Sequence, residues 1–160
     1  MNLSQTEIVL RLFVGLVVGL ILGLERTRRH KAAGIRTHAL VCISATSISI
    51  VSAYGFAEFQ GNNNMDPARL IVGIITGIGF LGAGIIWKEP SGVVQGLTTA
   101  ANIWAVAGLG IAVGLGHFFL VFATVFFMIC ALQISRLLVR LGITGKDQKH
   151  PVPVESSDDD

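Results

Sequence analysis

Long apolar stretches alternate with short polar segments along this chain. A membrane-spanning helix needs about 20 mostly apolar residues. Stretches of that length predict five helices, at about residues 7–24, 38–57, 68–87, 96–115 and 117–139. The pattern therefore predicts an all-α, polytopic membrane protein whose transmembrane domain covers residues 1–141.

The segments between the apolar stretches differ in character. Asp66–Pro67 reads as an N-cap followed by proline at the first helical position, a pair that begins a helix. The link around Gly116 is so short that the fourth and fifth helices must form an antiparallel hairpin. Residues 142–160 lack apolar periodicity and end in ESSDDD, which predicts a disordered cytoplasmic tail and no soluble C-terminal domain.

The composition supports the membrane class. Of the 160 residues, 52% are hydrophobic and 14% are charged, whereas soluble domains carry about 25% charged residues. The positive charges fall mainly on one side of the predicted membrane, in the segment after the first helix, at Lys88 and beyond the fifth helix. Because positive loops stay in the cytoplasm, we expect an outside N-terminus and a cytoplasmic C-terminus.

One glycine motif has two readings. Gly77-x-Gly79-x-x-Gly82 has the spacing of a dinucleotide-binding loop, but it lies within an unbroken apolar stretch and no acidic residue follows at 97–106. Small residues also let membrane helices approach closely, and this second reading predicts that Gly77→Leu disrupts helix packing. The predicted packing glycines are Gly15, Gly19, Gly23, Gly73, Gly77, Gly79, Gly82, Gly84, Gly110 and Gly114.

Polar residues within the apolar stretches are candidates for function, because they are costly in lipid. Thr98, Thr99 and Asn102 are either hydrogen-bonding contacts between helices or part of a polar site near Glu25 and Glu89. Arg11, with Glu7 on the same face, is either an interfacial pair or a partner contact.

The charges at the predicted cytoplasmic face also allow two roles. The basic residues attract anionic headgroups, and Glu25 and Glu89 are also expected to pair with Arg26 and Arg36. We expect no metal site, no cofactor, no nucleic acid partner and no enzymatic activity, because neither ligand clusters nor catalytic constellations emerge.

Four blocks together resemble the MgtC/SapB family: GLILGLER, AGIRTHALV, DPARL followed by GIGFLGAGII, and GLTTAANIWAVAGLGIAVGLG. They occur in the family's order over roughly residues 15–116. The motif positions that match are Glu25, Arg26, Gly34, Arg36, Thr37, Asp66, Pro67, Arg69, Gly77, Gly79, Phe80, Gly82, Gly84, Gly96, Thr99, Ala100 and Trp104. Some members carry Asn at the position of Thr98, where a polar residue is implicated in virulence.

The resemblance implies a multi-pass protein of the bacterial inner membrane that acts in magnesium limitation and acid stress. It implies a regulator that contacts a membrane partner, which in the best-described member is the F-type ATP synthase. A second copy of this chain is a further candidate partner. The alternatives are a divalent cation transporter or channel component, and an unrecognised membrane enzyme. Magnesium prefers carboxylate ligands, and Glu7, Glu25, Asp66 and Glu89 all lie at predicted helix ends, which favours the regulator.

Overall fold

The computed structural model describes residues 3–56 and 66–140, apart from the side chains of 135–137, 139 and 140. The described residues form five helices and one small β-hairpin. The helices are α1 (Gln5–Arg28), α2 (Ile35–Tyr54), α3 (Ala68–Ile85), α4 (Leu97–Gly114) and α5 (Phe118–Arg140). The strands β1 (Trp87–Lys88) and β2 (Val94–Gln95) pair antiparallel between α3 and α4. The all-α prediction is confirmed, and the predicted tail at 142–160 lies outside the described residues.

Four of these helices, α1 to α4, are long and apolar enough to cross a bilayer. In α5 the stretch Phe118–Ile134 forms a shorter apolar helix among the described residues. The prediction of a multi-pass architecture therefore agrees with the helices observed. The orientation of the bundle in the membrane stays a prediction.

The helix ends follow local hydrogen bonding more closely than hydropathy. Helix α1 continues past the apolar stretch to Arg28, where the i,i+4 ion pair between Glu25 and Arg29 supports its last turn. The backbone N–H of Ala68 donates to Oδ1 of Asp66 at 2.9 Å, so Asp66 helps to begin α3 although Pro67 is the N-cap residue. The segment predicted to end the third helix at residue 87 instead enters the hairpin.

Helix α2 lies at the centre of the bundle, between α1 and α4. The buried apolar core is built from Val18 and Leu22 of α1, Cys42 of α2, and partners from α4 and α5. By contrast, α3 buries only Ile74 and Gly82 among its 18 residues. Helix α3 therefore packs along the outside of the bundle and leaves most of its surface for lipid or another protein.

The two ends of the bundle have different chemistry. One end, called the basic end below, joins the C-terminus of α1 to the N-terminus of α2, and α3 to α4 through the hairpin. It carries the positive residues Arg26, Arg28, Arg29, Lys31, Arg36 and Lys88. The opposite end holds the N-terminus of α1 and the C-termini of α2 and α4.

Candidate functional site

The glycines of α1 form a tight seam against α2. A Cβ placed on Gly15 would lie 2.6 Å from Oγ1 of Thr46, and one on Gly19 would lie 2.7 Å from Cα of Ala39. A Cβ on Gly23 would lie 2.6 Å from Cα of Ile35. These distances are shorter than non-bonded contacts allow, so the two backbones touch only because α1 has no side chain at these positions.

The glycines of α4 form a second seam on another side of α2. A Cβ on Gly110 would lie 2.5 Å from the carbonyl oxygen of Cys42, and one on Gly114 would lie 2.6 Å from that of Thr46. The Thr46 hydroxyl is within hydrogen-bonding distance of the carbonyl oxygens of Cys42, at 2.8 Å, and Gly110, at 3.1 Å. The hydroxyl thus joins α2 to α4 inside the apolar core.

Most glycines of α3 do not pack against a neighbouring helix, although the sequence predicted that they would. Gly73, Gly77, Gly79 and Gly84 have nothing within 4 Å of where a Cβ would lie, and Gly82 meets Cβ of Ala100 at an ordinary 3.6 Å. Among the described residues, four of the five predicted α3 packing glycines therefore face no neighbouring helix. A Cβ at Gly77 would meet open space, so no contact among the described residues supports the prediction that Gly77→Leu disrupts helix packing.

An apolar groove runs between α2 and α3 along this open surface. Its volume is about 550 Å³, and two of the α3 glycines, Gly73 and Gly77, lie on its wall. The α2 wall is provided by residues that include Leu40, Ser44 and Ile48. The groove has the chemistry of a helix or acyl-chain contact.

A buried polar layer lies just inside the basic end, where α1, α2 and α4 meet. It consists of Arg26 on α1, His38 on α2, and Thr99 and Asn102 on α4, each at most 4% exposed. Arg26 donates from Nη2 to the Thr99 hydroxyl at 2.9 Å. The Asn102 side chain interacts with the His38 imidazole, and Arg26 and Glu25 are charged neighbours of that ring. Three of the four residues of the layer were predicted as site candidates.

Several polar atoms in this layer have no hydrogen-bond partner among the described residues. They are Arg26 Nε, His38 Nε2, and both Nδ2 and Oδ1 of Asn102. His38 Nδ1 lies 2.9 Å from the Gly34 carbonyl oxygen, so Nδ1 carries the proton and Nε2 of the neutral ring is an acceptor. Buried polar groups are normally satisfied by protein or water, so these atoms stand out among the described residues.

The opposite end of the bundle has a buried arginine whose two terminal nitrogens, Nη1 and Nη2, have partners on three helices, while its Nε has none among the described residues. Arg11 donates from Nη1 to the Gly114 carbonyl oxygen at 2.6 Å and to the Tyr54 hydroxyl at 3.2 Å. Its Nη2 pairs with the Glu7 carboxylate. A cation is favourable there because the negative ends of α2 and α4 converge on it. Arg11 is thus a structural clasp between three helices.

The other site candidates predicted from the sequence lie at the two ends of the bundle. Arg36, Thr37 and Thr98 are exposed at the first turns of α2 and α4, and Asp66 and Arg69 are exposed at the start of α3. Glu25 pairs with Arg29, and Oε2 of Glu89 accepts a hydrogen bond from Ser91 at 3.3 Å. Glu25 is also an electrostatic neighbour of Arg26, whose Nη2 turns inward to Thr99.

His38 was missed as a member of the polar layer. From the sequence it marks only the start of an apolar stretch, where an interfacial position is the ordinary expectation. The structure buries it completely because Gly23 of α1 allows close approach at this level, where a Cβ would lie 3.0 Å from Cβ of His38. The burial of His38 could be predicted from a glycine on one helix facing a polar residue on the next. That prediction requires knowing which helices pair.

Comparison with known proteins supports one family. Residues 12–141 match the family model described as MgtC family. Protein SapB of Bacillus subtilis (strain 168) is 38% identical over 137 residues, covering 84% of this chain and 59% of that protein. Protein MgtC of Salmonella typhimurium (strain 14028s) is 38% identical over 123 residues, covering 77% of this chain and 50% of that protein.

A third relative bears a name that refers to transport. It is "Putative magnesium transporter YhiD" of Escherichia coli (strain K12), 40% identical over 114 residues, covering 70% of this chain and 53% of that protein. This chain therefore spans between 50% and 59% of the length of these relatives. No solved structure matches it. The family match and the relatives, SapB and MgtC among them, together show that the chain belongs to the MgtC family.

Proposed function

We propose that this chain is an integral regulator of the bacterial inner membrane that acts by contact with the helices of another membrane protein. The observation that carries the proposal is the open glycine face of α3, formed by Gly73, Gly77 and Gly84, with Gly79 open on another side of the same helix. Gly15, Gly19 and Gly23 of α1 and Gly110 and Gly114 of α4 are used within the chain, whereas these α3 glycines stay available.

The physics of helix association in lipid supports a partner at this face. Apolar helix surfaces gain little from leaving lipid, so close backbone approach decides which surfaces associate. Glycine on an exposed helix lowers helix propensity by about 1 kcal/mol relative to alanine. Four such residues on one lipid-facing helix are a stability cost that contact with a partner helix offsets.

The partner and physiological setting come from the family resemblance. We propose an F-type ATP synthase subunit as the partner, and adaptation to low magnesium or acid stress as the setting. A second copy of this chain is the other occupant considered for the same face. The protein is proposed to act without a cofactor and without catalysing a reaction.

The test is photo-crosslinking from α3 in intact cells. A photoreactive amino acid replaces Phe80, which is 82% exposed on α3, and crosslinked products are identified by mass spectrometry. We expect an ATP synthase subunit, and we expect Gly77→Leu to abolish the crosslink while the chain accumulates normally. The Leu side chain fills open space on the monomer and blocks the approach of a partner helix.

A matched substitution on another helix controls for nonspecific effects. Val9→Leu alters α1 at a residue that is 65% exposed, and the crosslink should persist. Labelling of lipid alone, or the same crosslinks in Gly77→Leu, would remove α3 as the contact surface. Crosslinks between two copies of the chain would identify a second copy, and not an ATP synthase subunit, as the partner at this face.

The second candidate function is divalent cation transport, which the name of the E. coli relative suggests. Two carboxylates at the ends of α1 are engaged by arginines, Glu7 by Arg11 and Glu25 by Arg29, and the polar layer is built from Arg, His, Thr and Asn. Magnesium prefers carboxylate and water oxygens, so these groups favour the regulator. Magnesium flux into proteoliposomes that contain only this protein would instead establish transport.

A further inference from the structure

We propose that the polar layer at the basic end binds a phosphate-type oxyanion. The site is formed by Arg26, His38, Thr99 and Asn102, beneath the N-termini of α2 and α4. This inference concerns a different region from the α3 face and does not depend on the proposed regulatory role.

The first reason is the charge of Arg26. Its side chain is 2% exposed, and its hydrogen bond to Thr99 is with a neutral hydroxyl. The neighbouring carboxylate, Glu25, attracts Arg26 electrostatically, while its ion pair is with Arg29. A buried cation is costly unless an opposite charge compensates it, and the surrounding basic end adds further positive charge.

The second reason is the direction of the surrounding helices. The N-termini of α2 and α4 both point to the basic end, and neither N-cap residue, Gly34 or Gly96, provides a side-chain cap; the Ile35 N–H of α2 donates instead to the Thr27 hydroxyl at 2.8 Å. Helix N-termini carry partial positive charge and free N–H groups, and they favour anions. Arg26 contacts Thr99 in the first turn of α4, so a cation stands where the helix favours an anion.

Comparison with Arg11 makes the imbalance clear. Arg11 lies at the negative ends of α2 and α4 and has both a carboxylate and a backbone carbonyl as partners. Arg26 lies at the positive ends of the same two helices. The same residue type therefore completes the charge balance at one end of the bundle and upsets it at the other, which an anion at the polar layer would restore.

The third reason is the set of unpartnered atoms. Arg26 Nε and Asn102 Nδ2 are donors, whereas His38 Nε2 and Asn102 Oδ1 are acceptors. Unprotonated phosphate oxygens can accept from these donors. The Thr99 hydroxyl accepts from Arg26 and keeps its own proton to donate. Both free phosphate and a lipid headgroup phosphate have such oxygens.

The experiment measures thermal unfolding of the full chain in a phosphate-free maltoside detergent. The fluorescence of Trp87 and Trp104 reports unfolding while inorganic phosphate replaces chloride at constant ionic strength. A ligand that binds the folded state raises the midpoint as its concentration grows. A second arm adds phosphatidylglycerol to the micelles in place of phosphate. A rise with both ligands identifies the phosphate group in general, and a rise with the lipid alone identifies a headgroup site.

Three variants separate a specific site from general attraction. Arg26→Gln and Asn102→Leu should abolish the rise, since they remove the buried cation and two of the unpartnered atoms. Arg28→Gln should retain it, because Arg28 is exposed on the same helix and loses the same charge. If a variant does not fold, equilibrium dialysis with labelled phosphate on the unaltered chain decides, with sulfate expected to compete and chloride not. No rise in either arm, or an equal rise in Asn102→Leu, would overturn the proposal.

Discussion

At the scale of single residues, glycines that look alike in the sequence have opposite roles. Gly19 lies against the backbone of α2, whereas Gly77 has no atom within 4 Å of where a Cβ would lie. Close approach depends on what a neighbouring helix places opposite the glycine. The spacing of small residues therefore indicated which glycines were candidates for helix packing. The pairing of the helices decided which of these glycines lie at a helix–helix contact.

This difference predicts different responses to the same substitution. Gly19→Ala should lower the free energy of unfolding by about 1–3 kcal/mol, because the new Cβ would lie 2.7 Å from the Ala39 backbone. Gly77→Ala should be neutral or stabilising by up to about 1 kcal/mol, because alanine has the higher helix propensity. Reversible unfolding of both variants in mixed micelles measures the two values. Equal effects would show that the seam between α1 and α2 is looser than the structure describes.

At the scale of elements, the hairpin between α3 and α4 positions the polar layer. Gly96 ends this hairpin with a positive φ of 89°, and a Cβ there would overlap the carbonyl oxygen of Ile85. Gly92 in the hairpin turn has a similar φ of 84° but open space around it. Glycine is thus required at residue 96 for two reasons, the left-handed backbone and the close approach to Ile85. This contact sets where α4, with Thr99 in its first turn, begins relative to α3.

The hairpin gives a matched pair of substitutions. Both Gly92→Ala and Gly96→Ala should lose roughly 1–2 kcal/mol of stability from the left-handed backbone. Gly96→Ala should lose about 1–3 kcal/mol more, because its Cβ collides with backbone that cannot move aside easily. Unfolding measurements on both variants give the difference directly. A smaller loss for Gly96→Ala than for Gly92→Ala would contradict the tight contact with Ile85.

At the scale of the whole molecule, the bundle is polarised along its axis. The basic end combines the surface arginines and lysines with the polar layer, and the opposite end is closed by the Arg11 clasp. The positive-inside rule predicts that the basic end lies in the cytoplasm. This orientation would expose the proposed oxyanion site to cytoplasmic phosphate and to the headgroups of the inner leaflet.

Orientation can be measured by cysteine labelling. In a Cys130→Ala background, Lys31→Cys places a thiol at the basic end and Asp66→Cys places one at the opposite end, both at exposed positions. Buried Cys42 should stay unlabelled. In intact spheroplasts an impermeant maleimide should label the thiol at residue 66 and should reach residue 31 only after permeabilisation. The reverse pattern would place the basic end outside.

The sequence by itself determined the helical membrane architecture, because hydrophobic length and charge depletion are properties of each segment alone. It also identified the family through its four motif blocks, and it selected Arg26, Thr99 and Asn102 as polar candidates. Helix ends were predicted less closely, since hydropathy does not register the i,i+4 ion pair that extends α1 or the hydrogen bonds of the hairpin.

Only the tertiary structure decided which helices touch. It placed α2 between two glycine seams, moved α3 to the outside, and brought His38 into the polar layer beside residues from two other helices. It also distinguished Arg11, whose partners include a carboxylate and a backbone carbonyl, from Arg26, which lies near the N-termini of two helices. These properties depend on distances between segments far apart in the chain, and no local pattern of residues records them.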